Sequence, residues 1–145
     1  MLKGISKLLT GDLLKGLCDM GHGDKFAIVD ANYPAQTMGQ KLITYPGIRA
    51  TDLLEAIVKI FPLDHIVPYP AILMEMTDKD KENISDPIIW TQFSDIIHTE
   101  YGNEMQVGKV SREEFYELSK KSYLIIQSGE ERLYGNILLV KGVVN

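Results

Sequence analysis

The sequence predicts an α/β protein whose sheet is covered by helices on both faces. Short apolar runs alternate along the chain with longer segments that repeat apolar residues at helical spacing. Several of the apolar runs have no polar face, which is typical of strands that are buried on both sides. The chain has 145 residues, of which 45% are hydrophobic and 24% charged, and this matches one ordinary globular domain.

The first half of the chain predicts two helices and three strands. Thr10 is a good N-cap residue, Gly21 is a common helix terminator, and Pro62 stops a second helical pattern. The predicted elements in order are a helix between Thr10 and Gly21, a strand at 26–29, a loop at 32–39, a strand at 41–45, a helix that Thr51 caps and Pro62 stops, and a strand at 71–76.

The second half predicts two further helices and three further strands. Asp86-Pro87 is a helix start with Asp as N-cap and Pro at the first helical position, and Ser111 with Glu114 forms a capping box. The predicted elements in order are a solvated loop at 77–85, a helix from Asp86 to about His98, a strand at 106–110, a helix opened by Ser111, a strand at 123–126 and a strand at 136–140.

Charge and composition narrow the classes of partner. The net charge is −5 and the positive residues are scattered, so we expect no nucleic-acid partner. No apolar run approaches the ~18 residues of a membrane span, and the first residues lack a signal-peptide pattern, so we expect no membrane partner and a cytoplasmic location. Cys18 is the one cysteine; it excludes a disulfide within the chain and is predicted to be buried.

The segment GHGDKFAIVD combines an accessible histidine with a carboxylate after a strand. Gly21 and Gly23 leave the imidazole of His22 few neighbouring side chains. A histidine can give and take a proton near neutral pH, so His22 is a candidate acid/base. The alternative is a helix end followed by a surface histidine. Asp30 closes the apolar run and either caps the next turn or faces a pocket.

A second candidate constellation lies near the end of the chain. On an extended backbone Tyr134 and Asn136 would face the same side, with Gly135 leaving room between them. A phenol and a carboxamide together suit the directional hydroxyls of a sugar. The alternative is a tyrosine at a strand edge and an asparagine in a turn. Arg112 is the first residue of its predicted helix and is either solvated or a cation for a ligand.

The sequence shows no pattern for a metal or a cofactor. His65 and His98 have no metal-ligand spacing with His22 or with a carboxylate pair. A Walker loop, a GxSxG elbow and a CxxC motif are also missing from the sequence, which leaves NTPase, α/β-hydrolase and redox-motif functions unsupported. We therefore expect neither a metal nor a cofactor.

Five segments together resemble the ribose pyranase and fucose mutarotase family, and the resemblance covers essentially the whole chain. They are similar to the fucose branch, whose members carry MGHGDE and DxNFPA early and FYERAxKAF, TGE and YGN late. The segments are MLKGIS, LLKGLCDMGHGDKFAIVDANYPA, PLDHIVPYPAILMEM, REEFYELSKKSYLIIQSGE and YGNILLVKGV. Mild departures are Tyr33 in place of Phe, Leu118-Ser119 in place of Arg-Ala, and Ser128 in place of Thr.

The resemblance implies a fold, an activity and a set of roles. The fold is a three-layer α/β/α sandwich with a mixed sheet, a single sugar mutarotase domain over residues 1–145. The activity is cofactor-independent interconversion of sugar anomers, with L-fucose as the expected monosaccharide. The assembly is a homo-oligomer, a ring-based decamer with sites near subunit interfaces. His22 would be the principal acid/base, joined in catalysis by Asp30 and Tyr134, while Asp30, Arg112, Tyr134 and Asn136 hold the sugar.

The predicted strand between His22 and Asp30 raises a geometric problem. An extended segment over residues 25–30 separates its ends by roughly 17 Å, too far for one small sugar to touch both side chains. Either the GHGD loop folds back, or a neighbouring subunit supplies part of the site. We favour the second hypothesis, because a site at a subunit seam would need the ring.

Three other functions stay open on the sequence alone. A non-catalytic sugar-binding or regulatory protein would keep Asp30, Tyr134 and Asn136 but tolerate loss of His22. A ribose pyranase-type activity would differ in the sugar. An aldose–ketose isomerase would need a base placed for C–H abstraction and often a metal; it would exchange the hydrogen at sugar C2 with solvent, which mutarotation does not.

Overall fold

The computed structural model describes residues 1–144 and contains a six-stranded sheet with helices on both faces. The strands are β1 (Lys25–Val29), β2 (Leu42–Tyr45), β3 (Ala71–Met74), β4 (Val107–Val110), β5 (Leu124–Ser128) and β6 (Ile137–Val140). The helices are α1 (Gly11–Asp19), α2 (Ala35–Met38), α3 (Ala50–Val58), α4 (Asp78–Asn83), α5 (Ile88–Tyr101) and α6 (Arg112–Lys120).

The sheet is mixed, with one strand running against the other five. Its order is β2-β5-β1-β6-β3-β4. Strand β6 is antiparallel to both of its neighbours, β1 and β3, whereas every other adjacent pair is parallel. The carboxyl ends of five strands and the start of β6 therefore meet at one edge of the sheet, where ligand sites of open α/β sheets gather. The prediction of an α/β/α fold with a mixed sheet is confirmed.

The core forms because the central strands are apolar on both faces. Every residue of β6 is buried, and so are Phe26 to Val29 in β1. Helices α3 and α5 pack together, while α2 packs against α6. The ring of Phe26 meets the edge of Phe61, with centroids 4.9 Å apart. Burial of both strand faces explains why these runs read as continuous hydrophobic segments in the sequence.

Two predicted helix caps, at Thr10 and Ser111, are confirmed, and two, at Thr51 and Asp86, are wrong. The Thr10 side chain accepts a hydrogen bond from Leu13 N at 3.3 Å, and Ser111 Oγ accepts one from Glu114 N at 3.1 Å. Thr51 does not cap α3, because Ala50 is already helical and Arg49 precedes the helix without a side-chain cap bond. The preference of threonine for the N-cap position is outweighed here by the packing of Ala50, which is fully buried.

The prediction of a loop at 77–85 is wrong. Helix α4 occupies Asp78–Asn83, and Thr77 caps it by accepting a hydrogen bond from Asp80 N at 3.3 Å. The helix has no buried residue, so it carries no apolar stripe from which it could have been predicted. Likewise, helix α2 lies within the predicted loop at 32–39. The predicted start of α5 is also wrong, because the helix begins at Ile88, so that Pro87 precedes its first helical residue and Asp86 does not cap it.

Two further properties concern the surface. Cys18 is exposed, which corrects the prediction that it is buried, because it lies away from the buried residues Leu13, Gly16 and Leu17 of α1. None of the helices within residues 1–144 has the length and apolar character that a membrane span requires.

Candidate functional site

A cleft of about 300 Å³ opens at the carboxyl edge of the sheet. Four predicted site residues line it: Asp30 after β1, Arg112 after β4, and Tyr134 and Asn136 before β6. The sheet topology explains this convergence, since the end of β1, the end of β4 and the start of β6 lie at the same edge. The cleft has the size of a small-ligand pocket and several polar groups that point at one space.

Asp30 and Asn136 hold each other by two hydrogen bonds. Asn136 Nδ2 donates to Asp30 Oδ2 at 2.8 Å, and Asp30 N donates to Asn136 Oδ1 at 2.9 Å. Asn32 N donates to the other carboxylate oxygen of Asp30 at 2.9 Å. Burial raises the pKa of the Asp30 carboxyl above its ordinary value, and the bonds from Asn136 and Asn32 offset part of that rise. The carboxylate is thus fixed in place and retains free lone pairs for a ligand hydroxyl.

Tyr134 reaches the cleft from an unusual backbone conformation. Its φ is 61°, in the left-handed region, which costs a non-glycine residue on the order of 1 kcal/mol. Its side chain lies in the same cleft as that of Asn136, as predicted, but the two are not brought together by an extended strand, because β6 begins only at Ile137. The ring packs edge-on against Trp90, with centroids 6.4 Å apart.

The amino-terminal turn of α6 supplies a cation and an aromatic ring. The Arg112 side chain is 46% exposed and lies 3.5 Å from Glu113 Oε1, so its guanidinium remains accessible at the cleft. Tyr116, one turn later, also lines the cleft. The exposed cation of Arg112 and the buried carboxylate of Asp30 line the same cleft and give it both a donor and an acceptor for hydroxyl groups.

A hydroxyl pair fixes the wall behind Tyr116. The ring of Tyr33 meets that of Tyr116 edge-on, with centroids 5.4 Å apart. The Tyr33 hydroxyl is hydrogen-bonded to Ser119 Oγ, and Ser119 Oγ donates to Tyr116 O at 2.9 Å. Since Ser119 uses its hydrogen on that carbonyl, Tyr33 must be the donor to Ser119. Burial raises the pKa of Tyr33 to about 12, which keeps this donor protonated.

His22 lies at the opposite edge of the sheet. Its loop is tied down by a hydrogen bond from Gly23 N to Lys141 O at 2.8 Å, just after β6 ends. Gly23 has φ 83°, a conformation that favours glycine. The His22 side chain is 46% exposed, as the flanking glycines predicted. The residues that line the Asp30 cleft do not include His22.

A buried carboxylate orients the imidazole of His22. His22 Nε2 lies 3.3 Å from Oδ2 of Asp64, whose side chain is only 4% exposed. Ile66 N donates to the other oxygen, Asp64 Oδ1, at 2.8 Å. Because a carboxylate is negative and can only accept hydrogen bonds, this contact favours the tautomer with the hydrogen on Nε2 and leaves Nδ1 to exchange a proton with a ligand.

Strand β1 separates His22 from the residues of the Asp30 cleft within one chain. Strand β1 comprises 5 residues from Lys25 to Val29, and it runs straight from the His22 loop to Asp30. At ~3.3 Å per residue it spans roughly 17 Å. The structure therefore brings together Asp30, Arg112, Tyr134 and Asn136 but leaves His22 at the other end of β1, so the GHGD loop does not fold back to them.

Sequence reasoning missed two residues beside these groups. Asp64 contacts His22, and Asp80 lines the cleft and accepts a hydrogen bond from the Tyr134 hydroxyl. Asp64 and Asp80 carried no signal, because each contact joins positions far apart in the chain. Trp90 is buried behind Tyr134 rather than among the residues that line the cleft.

Among residues 1–144, no group of three or more His, Cys, Asp or Glu side chains is placed to hold a metal ion. The chemistry that the two edges offer is hydrogen bonding to hydroxyls at the cleft and proton exchange at His22.

The sequence profile of the RbsD / FucU transport protein family matches residues 3–144. The chain belongs to this family. Human fucose mutarotase is 40% identical over 146 residues, which cover 99% of this chain and 94% of that protein. The L-fucose mutarotase of Haemophilus influenzae is 37% identical over 143 residues, which cover 99% of this chain and 97% of its own.

A solved structure agrees with the family assignment. The fucose mutarotase of Streptococcus pneumoniae, crystallised in complex with L-fucose, superposes with a TM-score of 0.92. It is 39% identical, and the match covers 99% of this chain and 100% of that one. The resemblance to the fucose branch of the family is confirmed.

Proposed function

We propose that the protein is an L-fucose mutarotase, an isomerase that interconverts the α and β anomers of the sugar. The observation that carries the proposal is the cleft, in which the fixed carboxylate of Asp30, the carboxamide of Asn136, three tyrosines and an arginine surround a space of about 300 Å³. This combination suits a monosaccharide, whose hydroxyls need donors and acceptors in fixed directions. The relatives named fucose mutarotase, at 37–40% identity over nearly the whole chain, support L-fucose as that sugar.

The reaction needs only proton transfers. A base takes the proton of the anomeric hydroxyl, the bond between C1 and the ring oxygen breaks, and an acid protonates that oxygen. After rotation about the C1–C2 bond the ring recloses on the other face of the aldehyde with the proton transfers reversed. One positioned acid/base supplies about 10²–10⁴-fold acceleration. Orientation of the sugar by Asp30 and Asn136 adds to it.

His22 is the acid/base in this proposal. Its Nε2 faces the Asp64 carboxylate at 3.3 Å, so Nδ1 is the nitrogen that accepts a proton from the anomeric hydroxyl or, once the ring is charged, gives one to the ring oxygen. Arg112 favours the hydroxyl in its ionised form through its positive charge. Asp30 anchors the sugar by accepting a hydroxyl proton in a hydrogen bond.

The sugar site is composite in this proposal, with the cleft from one subunit and His22 from another. Support comes from the opposite positions of Asp30 and His22 along β1 and from apolar surface at both edges. Leu133 is 60% exposed at the cleft, and Ile66 is 78% exposed beside Asp64. A second copy of the chain would cover both. Three expectations from the sequence stay predictions: a ring-based decamer, one sugar mutarotase domain over residues 1–145, and a cytoplasmic location.

The function is tested by measuring anomer exchange of L-fucose with saturation-transfer NMR. Wild type should accelerate exchange, and His22→Ala should lower the acceleration by about 10²-fold or more while sugar binding persists. His65→Ala, which removes an exposed neighbouring histidine, is the matched control and should exchange like wild type. Binding of L-fucose without faster exchange would favour the sugar-binding protein. Exchange on D-ribose but not on L-fucose would move the function to the pyranase type.

The composite site is tested by co-expressing His22→Ala, which impairs the His22 edge, with Asp30→Ala, which impairs the cleft, at an L-fucose concentration at which neither variant alone gives detectable acceleration. In a randomly mixed ring about a quarter of the seams join an intact cleft to an intact His22 edge, so activity should partly return. Co-expression of His22→Ala with Asp64→Asn is the control, because both changes affect the same edge and no seam is repaired. A mixture of the first pair that stays inactive would contradict the composite site.

A further inference from the structure

The Tyr134 hydroxyl is held by the first turn of α4. Its O–H donates to the Asp80 carboxylate, and Thr77 N donates to the Tyr134 oxygen at 3.3 Å. The hydroxyl hydrogen is therefore committed within the protein. What Tyr134 offers to the cleft is its ring and the remaining lone pair of its oxygen.

This contact replaces part of a helix cap. Thr77 precedes α4 and Asp80 is its third residue, the positions at which a capping box has a side chain bonded to the N-cap N–H. Thr77 Oγ1 accepts from Asp80 N at 3.3 Å, which is half of the box. In the other half of the box, the Asp80 carboxylate reaches Thr77 N–H through the phenol oxygen of Tyr134. That oxygen accepts a hydrogen bond from Thr77 N and donates one to Asp80. A wholly polar helix with no buried residue is thus anchored on Tyr134.

Asp80 itself lines the cleft, but its carboxylate is bonded to Tyr134. We propose that Asp80 is a positioning residue of the sugar site, because its carboxylate and Thr77 N–H together fix the Tyr134 hydroxyl. The proposal rests on the proposed mutarotase function. In this proposal Tyr134 forms a wall of the cleft. It does not donate a proton to the sugar, since its hydroxyl hydrogen is bonded to Asp80.

The backbone of Tyr134 makes this anchor necessary. A φ of 61° is unfavourable for a residue with a side chain, so surrounding contacts must hold it. The buried ring of Trp90 supports the Tyr134 ring from one side, with their planes at 65°. Asp80 holds the far end of the ring by its hydroxyl. Without Asp80, the ring loses that end contact and the wall of the cleft beside Asn136 is no longer fixed.

The kinetic test compares Asp80→Ala with Asp80→Asn in L-fucose exchange. The alanine variant should raise KM about tenfold and leave kcat within about threefold, because one hydrogen bond that shapes the ground-state site is lost. The asparagine variant keeps an oxygen acceptor for the Tyr134 hydroxyl and should stay within about threefold of wild type in both constants. Asp78→Asn, an exposed acid in the same helical turn, is the control and should change neither.

A double-mutant comparison separates positioning from direct contact with the sugar. Tyr134→Phe should raise KM about as much as Asp80→Ala does, and adding Asp80→Ala to Tyr134→Phe should cost nothing more. If Asp80→Ala raised KM by the same factor in wild type and in Tyr134→Phe, the proposal would be overturned. An Asp80→Asn variant as impaired as Asp80→Ala would also overturn it. A fall in kcat of about 10²-fold in Tyr134→Phe would also overturn it, since a proton donor loses that much.

A readout without sugar distinguishes failure of this inference from failure of the proposed function. Trp90 is the one tryptophan of the chain, so intrinsic fluorescence reports on the ring that packs against it. Asp80→Ala should shift the Trp90 emission of the unliganded protein, while Asp80→Asn and Asp78→Asn should not. If wild type were inactive on L-fucose, the mutarotase proposal would fail and the emission shift alone would support the Asp80 contact. Unchanged emission in Asp80→Ala would overturn that contact.

Discussion

A buried aspartate lies near each end of β1, and the two differ in what holds their carboxylates. Asp30 is 7% exposed, and N–H donors of its own chain, Asn136 Nδ2 and Asn32 N, occupy both of its oxygens. Asp64 is 3% exposed, but only one of its oxygens is bonded to a backbone N–H; the other faces the half-exposed imidazole of His22.

In the proposed function, this difference assigns sugar binding to the Asp30 end and proton transfer to the His22 end. At the cleft the carboxylate is fully held before any ligand arrives, which favours recognition of hydroxyls in set directions. At the His22 edge the carboxylate orients a group that gains and loses protons at the surface. Changes at the cleft should therefore act mainly on the KM for the sugar, and changes at the His22 edge mainly on kcat.

The largest expected effect is at the His22 edge, in Asp64→Asn. The new carboxamide would keep an oxygen for Ile66 N–H but turn an N–H toward His22 Nε2, so Nε2 could no longer carry the hydrogen. The imidazole would be held in the wrong tautomer, and kcat for L-fucose exchange should fall about 10²–10³-fold with KM nearly unchanged. A parallel rise in KM, measured in the same NMR series, would show that the two ends are not separate in function.

The fold was largely predictable from the sequence because its strands are apolar runs. The segments predicted at 26–29 and 136–140 match β1 and β6 within one residue, since burial on both faces leaves a clear local pattern. Helix α4 was not predictable in this way. It contains only polar residues, and its support from Tyr134 comes from a distant part of the chain.

The site divides similarly into predictable residues and unpredictable contacts. His22, with its flanking glycines, and Asp30, at a strand end, could be selected from local pattern. The bond between Asp30 and Asn136 could not, because it depends on β6 lying antiparallel beside β1. The same holds for Asp64, which meets His22 only after the chain has folded.

A smaller effect is expected at the cleft, in Asn136→Asp. The change is isosteric but places a second carboxylate oxygen against Asp30 Oδ2, now 2.8 Å from the amide nitrogen. Two carboxylates at that separation share one proton, so the KM for L-fucose at pH 7 should rise about 10–30-fold with a modest change in kcat. Asn83→Asp, the same change at an exposed position of α4, should leave KM unaltered. Unchanged KM in Asn136→Asp would mean that the Asp30 pair does not bind the sugar.

The pair formed by Tyr33 and Ser119 should contribute about 1 kcal/mol of coupling energy to the cleft wall. Ser119→Ala leaves the buried Tyr33 hydroxyl without an acceptor, whereas Tyr33→Phe leaves Ser119 still bonded to Tyr116 O. Urea unfolding should therefore show a larger loss of unfolding free energy for Ser119→Ala than for Tyr33→Phe. The double variant should lose less unfolding free energy than the two single variants lose together. A loss equal to that sum would disprove the pairing.

The smallest expected effect is the pH dependence of stability that Asp30 introduces. Burial raises its pKa in the folded state, so its contribution to stability is fully present below the ordinary aspartate value of about 3.9 and declines as pH rises through the folded-state value. The decline is limited, because the donors Asn136 and Asn32 offset part of the cost of burying the charge.

Asp30→Asn removes this titration. The unfolding free energy of the variant relative to wild type should therefore increase between pH 4 and pH 7, whatever the offset from its altered hydrogen bonds with Asn136. Urea unfolding of both proteins at three pH values in that range measures the trend, and Asp78→Asn, an exposed acid on α4, serves as the control. A relative stability that is flat or falls with pH would mean that the hydrogen bonds at Asp30 fully offset its burial. The carboxylate at the cleft would then be held in its charged form without a cost in stability.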